Sequence, residues 1–423
     1  MTSDTSAAHP PETPAKPARR LAACLWMAGL VAAYLVLNIT VLLNTARYPD
    51  LVAKMESKDS RQYIEIAHDF ARGDFSMSYV RNMPHRQPLY PLLLAPAVKG
   101  WGDNPIALGS VNMVVGLIML VWLYRGLLGL FGSISVAVLT MLAYIGNPFM
   151  VDKISCRVMT EPLHALCLIA LIFYFLAYLR DGRARNFVGA AAAAGVDYLA
   201  RPNGLFVMAA MAFTFFCHDV WFFFRKANSD DVSGSGRSRW LRSRIVAYIG
   251  AGIAFLVTSA PSWVPRYAYF GKPFFHGYLS NYMWVDSYEQ AHTGQAGAIY
   301  TWHDYVRSHD LQGFAGRLGE GLWRVYLDIP KHTEHIRILY FVAIVGLLVA
   351  VIKRRKEFWL LGAFLFIQLL PVVWTIVANS GPRVSYGTLF PFELFFAALA
   401  LAYAVPLVGQ WIASPRHPKG EAK

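Results

Sequence analysis

Asp59 lies in the run Lys58-Asp59-Ser60-Arg61-Gln62-Tyr63, inside the polar segment 44–104 that follows the first hydrophobic stretch. In a chain this apolar, a carboxylate held at a membrane surface, where a lipid-borne substrate could meet it, is the best candidate for chemistry. The same carboxylate stands three residues before Gln62, which is also the capping-box arrangement. The two roles are compatible, because helix-end donors keep a carboxylate ionised and oriented. Arg86, in His85-Arg86-Gln87-Pro88-Leu89-Tyr90-Pro91, could meet a phosphate with two parallel hydrogen bonds. Arg383 and Tyr386 form a similar cation and phenol pair near the last hydrophobic run, and His85, Arg266, Lys272 and His276 would add to an anion-attracting surface.

Other polar residues have readings of their own. Glu161, in Thr160-Glu161-Pro162, could bind a ligand or simply favour a helix start through the dipole. Asp197 and Arg201 are four apart and can pair on one helix face, an arrangement read here as architectural. His164 and Glu393 stand alone on apolar helices and receive no role. Asp74, Asp103, Asp152, Glu289 and Asp304 could supply oxygen ligands for a divalent cation, although their spacing is not diagnostic.

The elements that must carry these residues follow from composition. Hydrophobic residues make up 56% of 423 positions and charged ones only 15%, against about 25% charged in soluble domains. This is the profile of an all-α polytopic membrane protein. The net charge of +13 would raise nucleic acid as a partner in a soluble chain. Here the basic residues cluster in short loops between apolar runs, so the positive-inside rule accounts for them and no nucleic-acid partner is expected. The four cysteines are scattered and show no disulfide or metal spacing.

A helix needs about 20 apolar residues to cross a bilayer. Ten runs qualify as candidates, near 21–43, 105–124, 133–150, 162–179, 187–200, 203–224, 245–265, 336–352, 358–378 and 385–411. Arg180, Arg183 and Arg185 flank the stretch 187–224 on one side, and Arg225, Lys226, Arg237, Arg239, Arg242 and Arg244 on the other. Basic flanks on one side require an even number of crossings, so the stretch should be a hairpin turning at Arg201-Pro202-Asn203-Gly204. The domain reading is a disordered cytoplasmic N-terminus over 1–20, a membrane domain over 21–412 with outer loops 44–104 and 266–337, and a cytoplasmic tail over 413–423. Tyr63, Ile66, Ala67 and Phe70 fall at helical spacing, as do Trp302, Tyr305, Val306 and His309. Each set predicts a helix lying along the membrane interface.

The ordered set Asp59 to Ala67, Arg86 to Pro91, Thr160 to Leu163, Leu199 to Gly204, and Arg383 with Tyr386 before Pro391 resembles the GT-C glycosyltransferases. The nearest branch is that of the protein mannosyltransferase-like and aminoarabinose transferase-like enzymes. Ser60 occupies the place where many relatives carry a second acidic residue. The resemblance implies transfer of a sugar, with inversion, from a polyprenyl-phosphate donor to a glycan, lipid or protein acceptor outside the inner membrane. Asp59 would be the general base. Arg86, Arg383 and Tyr386 would stabilise the departing phosphate, and Tyr63, Tyr90, Glu161 and Arg201 would complete the substrate contacts. A lipid-linked donor also fits the absence of a nucleotide-phosphate loop or dinucleotide fingerprint. A transporter or flippase, and an O-antigen-type polymerase or ligase, are the competing readings.

Overall fold

The computed structural model describes residues 17–48, 58–227, 234–287, 289–290, 300–328, 337–376 and 383–413. All regular structure among them is helical, with fifteen α-helices. The first is α1 (Pro17–Arg47), followed by two short helices, α2 (Lys58–Ala71) and α3 (Leu89–Trp101). The bundle continues with α4 (Pro105–Phe131), α5 (Ile134–Ile145), α6 (Pro148–Ser155), α7 (Glu161–Asp181), α8 (Ala184–Ala200), α9 (Gly204–Ala227) and α10 (Gly234–Phe270). Two more short helices, α11 (Trp302–Ser308) and α12 (Leu311–Trp323), precede α13 (Arg337–Ile352), α14 (Lys356–Thr375) and α15 (Arg383–Ala413).

Local chemistry sets several of these ends. Asn104 accepts hydrogen bonds from the Ile106 and Ala107 amides ahead of Pro105, which opens α4 without losing a needed N–H. Asn147 caps α6 in the same way, with Pro148 following it. Thr301 and Asp304 bond reciprocally in a capping box on α11. The first helix begins at Pro17, so the disordered segment expected over 1–20 is helical in its last four residues, while residues 1–16 lie outside the described set.

Among the described residues, seven helices are long and apolar enough to cross a membrane, or eight if the bent pair α5 and α6 counts as one span. Ten runs were expected, and helices do occupy all ten positions. The difference is length and continuity. Gly146-Asn147-Pro148 bends the third run by 61°, α8 has 17 residues and α13 has 16. The turn expected at 201–204 is present, with α8 ending at Ala200 and α9 beginning at Gly204.

Small residues let the helices approach closely. The buried Ala190, Ala191 and Ala194 line α8, and Gly195 lies directly against Thr258 and Phe255 of α10. Such contacts let backbones meet where no hydrophobic drive separates helix from lipid. Gly346 of α13 meets the Phe396 backbone of α15 in the same manner. The centre holds stacked rings, with Phe175 of α7 between Phe215 at 4.7 Å and Phe364 at 5.1 Å. Exposed Val36, Ile118, Phe213, Val257 and Phe341 cover the outer faces, the surface a lipid-embedded bundle presents.

The apolar stripe expected on α2 meets protein. Its apolar stripe of Tyr63, Ile66, Ala67 and Phe70 is buried, and the helix packs extensively on α3. The stripe therefore fastens α2 to protein and leaves its polar face outward. On α11 the outcome is mixed: Tyr305 is buried, while Trp302 and Val306 remain exposed.

Candidate active site

The site is built from loop residues fastened to the bundle by buried hydrogen bonds. Arg266, fully buried on α10, donates to the carbonyls of Pro84 at 2.8 Å and Arg86 at 2.8 Å, and to Ser262 of its own helix. Ser262 donates to Gln87 Oε1, and Gln87 Nε2 lies 3.5 Å from His276 Nδ1. His276 Nε2 in turn lies 3.1 Å from the Tyr198 hydroxyl on α8. Burial, and then the Arg266 charge, lower the His276 pKa to about 3. His276 is therefore a neutral imidazole at physiological pH. Arg266, His276 and His85 are all buried, which removes them from the anion-attracting surface expected of them. Lys272 is exposed.

This clamp presents Arg86 to α2. Its Nη2 donates to Asp59 Oδ1, its Nε to Gln62 Oε1 at 2.7 Å and its Nη1 to the Tyr63 hydroxyl at 3.3 Å. The guanidinium also lies 4.8 Å from the centre of the Tyr63 ring, within cation–π range. Burial alone would lower the Arg86 pKa, but Tyr63 and Asp59 outweigh it and raise the value above its ordinary level. The Arg86 side chain is 11% exposed and that of Asp59 36%, so the carboxylate is the half of the pair that meets solvent. Asp59 lies in the first turn of α2 rather than ahead of it, and the Gln62 side chain turns to Arg86 and His85.

Tyr63 leads inward. Its ring meets Tyr90 edge to face at 5.3 Å, and Tyr90, at the start of α3, is fully buried. Burial, with Tyr63 and Glu161 nearby, holds the Tyr90 hydroxyl pKa well above its ordinary value. Glu161, in the first turn of α7, is buried and its Oε1 lies 3.5 Å from Arg201 Nη1. The i,i+4 pairing expected between Asp197 and Arg201 is replaced by two pairings across helices. Asp197 instead bonds His164 Nδ1 at 2.6 Å. His164 Nε2 lies 3.2 Å from Thr388 on α15.

Asp197 does not meet Arg201, because Arg201 lies just beyond α8 in an extended backbone conformation that breaks the helical register. His164 was passed over, since a lone histidine in an apolar run shows nothing of the carboxylate opposite it.

The site thus gathers Asp59, Arg86, Tyr63 and Tyr90 into one connected group and Glu161 with Arg201 into a second, near enough for the Glu161 charge to act on Tyr90. Arg383 and Tyr386 open α15, but their side chains lie outside the described residues. Gly387 follows them and sits against Glu161, His164 and Arg201, which puts the start of α15 at this site. The acidic residues considered for a cation are dispersed. Asp103 pairs with His68, Asp152 with Lys153 and Arg157, and Asp304 with Thr301, while Asp74 accepts from the Ser76 amide. Among the described residues, no group of three or more His, Cys, Asp or Glu side chains is arranged to hold a metal ion.

The opposite end of the bundle has a different character. There Arg19 donates to the Gly132 carbonyl and Arg244 to the Gly182 carbonyl, and Arg355 bonds the Tyr403 hydroxyl. The molecule is a polytopic, all-helical protein of membrane type, with its acid, cation and phenol groups at one end.

Residues 85–228, about a third of the chain, match the family model of the dolichyl-phosphate-mannose-protein mannosyltransferases. That match supports the class of membrane glycosyltransferase. It includes Arg86, Tyr90, Glu161 and Arg201 and leaves Asp59 and α15 outside. No curated protein and no solved structure matches the chain significantly.

Proposed function

We propose that this protein transfers a sugar from a polyprenyl-phosphate donor to an acceptor hydroxyl, with Asp59 as general base. The observation that carries this reading is the Asp59–Arg86 pair. It joins a partly exposed carboxylate to a mostly shielded cation 27 residues away, so a base and an anion-stabilising group share one place. Asp59 takes the acceptor proton as the acceptor oxygen attacks the anomeric carbon. The bond from that carbon to the phosphate oxygen breaks, and the products are an inverted glycosidic linkage and polyprenyl phosphate.

Arg86, with Arg383 and Tyr386 at the start of α15, stabilises the negative charge left on the phosphate. Fixed cations and donors aimed at developing charge lower the barrier because they need no reorganisation during reaction. The other end of the bundle carries the basic loops, so the positive-inside rule supports a site on the extracytoplasmic face of the inner membrane.

The test is Asp59→Asn in proteoliposomes supplied with polyprenyl-phosphate sugars. Transfer should fall by about 10²–10⁴-fold, the usual worth of a positioned base, while the variant still binds polyprenyl phosphate. Wild-type transfer by Asp59→Asn would sink the assignment. Movement of the lipid across the bilayer with no new glycosidic bond would favour a flippase instead.

A further inference from the structure

The pair of Glu161 and Arg201 ends in polar atoms with no partner. Glu161 Oε2 and Arg201 Nη1 are both buried and lack hydrogen-bond partners among the described residues. The two side chains touch only through the 3.5 Å approach of Oε1 to Nη1, and Glu161 is 4% exposed. Leaving a charged group unsatisfied in such a place is costly. Each atom is therefore one a ligand could complete.

The chemistry of the gap is specific. A carboxylate oxygen only accepts hydrogen bonds and a guanidinium nitrogen only donates them. A phosphate would meet Arg201 but be repelled by Glu161, and a cation would do the reverse. A neutral group that donates and accepts at adjacent atoms satisfies both, and neighbouring sugar hydroxyls are such a group. Gly387 borders the gap. A Cβ there would lie 3.5 Å from Glu161 Cγ and 3.7 Å from Arg201 Nη1, so this glycine keeps a notch open between the two side chains.

We propose that Glu161 and Arg201 recognise hydroxyls of the glycosyl group on the lipid-linked donor, and so set which sugar is accepted. The proposal rests on the glycosyl-transfer reading and names a site within it. His164, held by Asp197 and reaching Thr388, positions the start of α15 against this pair.

The test measures affinities of the full chain in liposomes for bare polyprenyl phosphate and for its mannosyl, glucosyl and arabinosyl forms. In wild type, at least one sugar-bearing lipid should bind about tenfold or more tighter than the bare lipid, because a site built to hydrogen-bond a hydroxyl discriminates strongly against its absence. Glu161→Gln should shrink that preference to about threefold or less while leaving affinity for the bare lipid in place. Gly387→Ala, whose added carbon meets only ordinary contacts, should do the same and covers the case in which Glu161→Gln fails to fold. An unchanged preference in a folded variant, or no preference in wild type, overturns the proposal and leaves the gap to structural water. Normal transfer by Asp59→Asn would instead overturn the base assignment alone, so the two failures are separable.

Discussion

Replacing Arg86 by Lys keeps the charge and removes the geometry. One ammonium cannot bond Asp59, Gln62 and the Tyr63 hydroxyl at their observed positions while covering the Tyr63 ring. Breaking a buried pair costs up to about 5 kcal/mol, and the partial exposure of Asp59 reduces that, so Arg86→Lys should destabilise by about 2 kcal/mol. Thermal unfolding in detergent would check it, and an unchanged melting temperature would refute the clamp. His276 gives a pH signature. Its pKa of about 3 lies below the ordinary 6.5 because of burial and then Arg266. The unfolded chain therefore takes up a proton between these values that the folded chain refuses. The stability this contributes is complete above pH 6.5 and is lost as pH falls toward 3. His276→Gln should flatten that decline, measured as the melting-temperature difference between pH 7 and pH 4.5. Equal slopes in wild type and variant would exclude this linkage.

At the scale of elements, the junction of α8 and α9 determines where Arg201 goes. Gly204 packs against the backbone of Tyr198 and Ala194 so closely that a Cβ would overlap both. Gly204→Ala should cost about 1–3 kcal/mol through overpacking and shift Arg201 away from Glu161. Activity in proteoliposomes should fall further than stability does. A variant with full activity would show that the tight turn is dispensable. This hairpin was legible in the sequence because Pro and Gly punctuate it and basic residues flank it on both sides. The partners of its polar residues were not legible, because Glu161, His164 and Thr388 come from other helices. The role of α2 was also only half legible. Periodicity identifies an apolar stripe, but a stripe looks the same whether it covers lipid or, as here, α3.

For the whole molecule, the two ends differ in chemistry and should differ in compartment. In a variant with Cys24, Cys156, Cys167 and Cys217 replaced, a cysteine introduced at the exposed Arg61 should react with a membrane-impermeant maleimide only from the extracytoplasmic side. Labelling from the cytoplasm alone would invert the topology and displace the proposed site. The all-helical membrane class, the positions of the apolar runs and the hairpin at 201–204 were decided by the sequence itself, since composition, spacing and charge flanks are local properties of the chain. Tertiary structure decided the rest. It bent the third run at Gly146, because turns and caps there stop one helix and start the next. It also made Arg86 the partner of Asp59, since an ion pair between distant residues exists only once the fold has brought α2 and the start of α3 together.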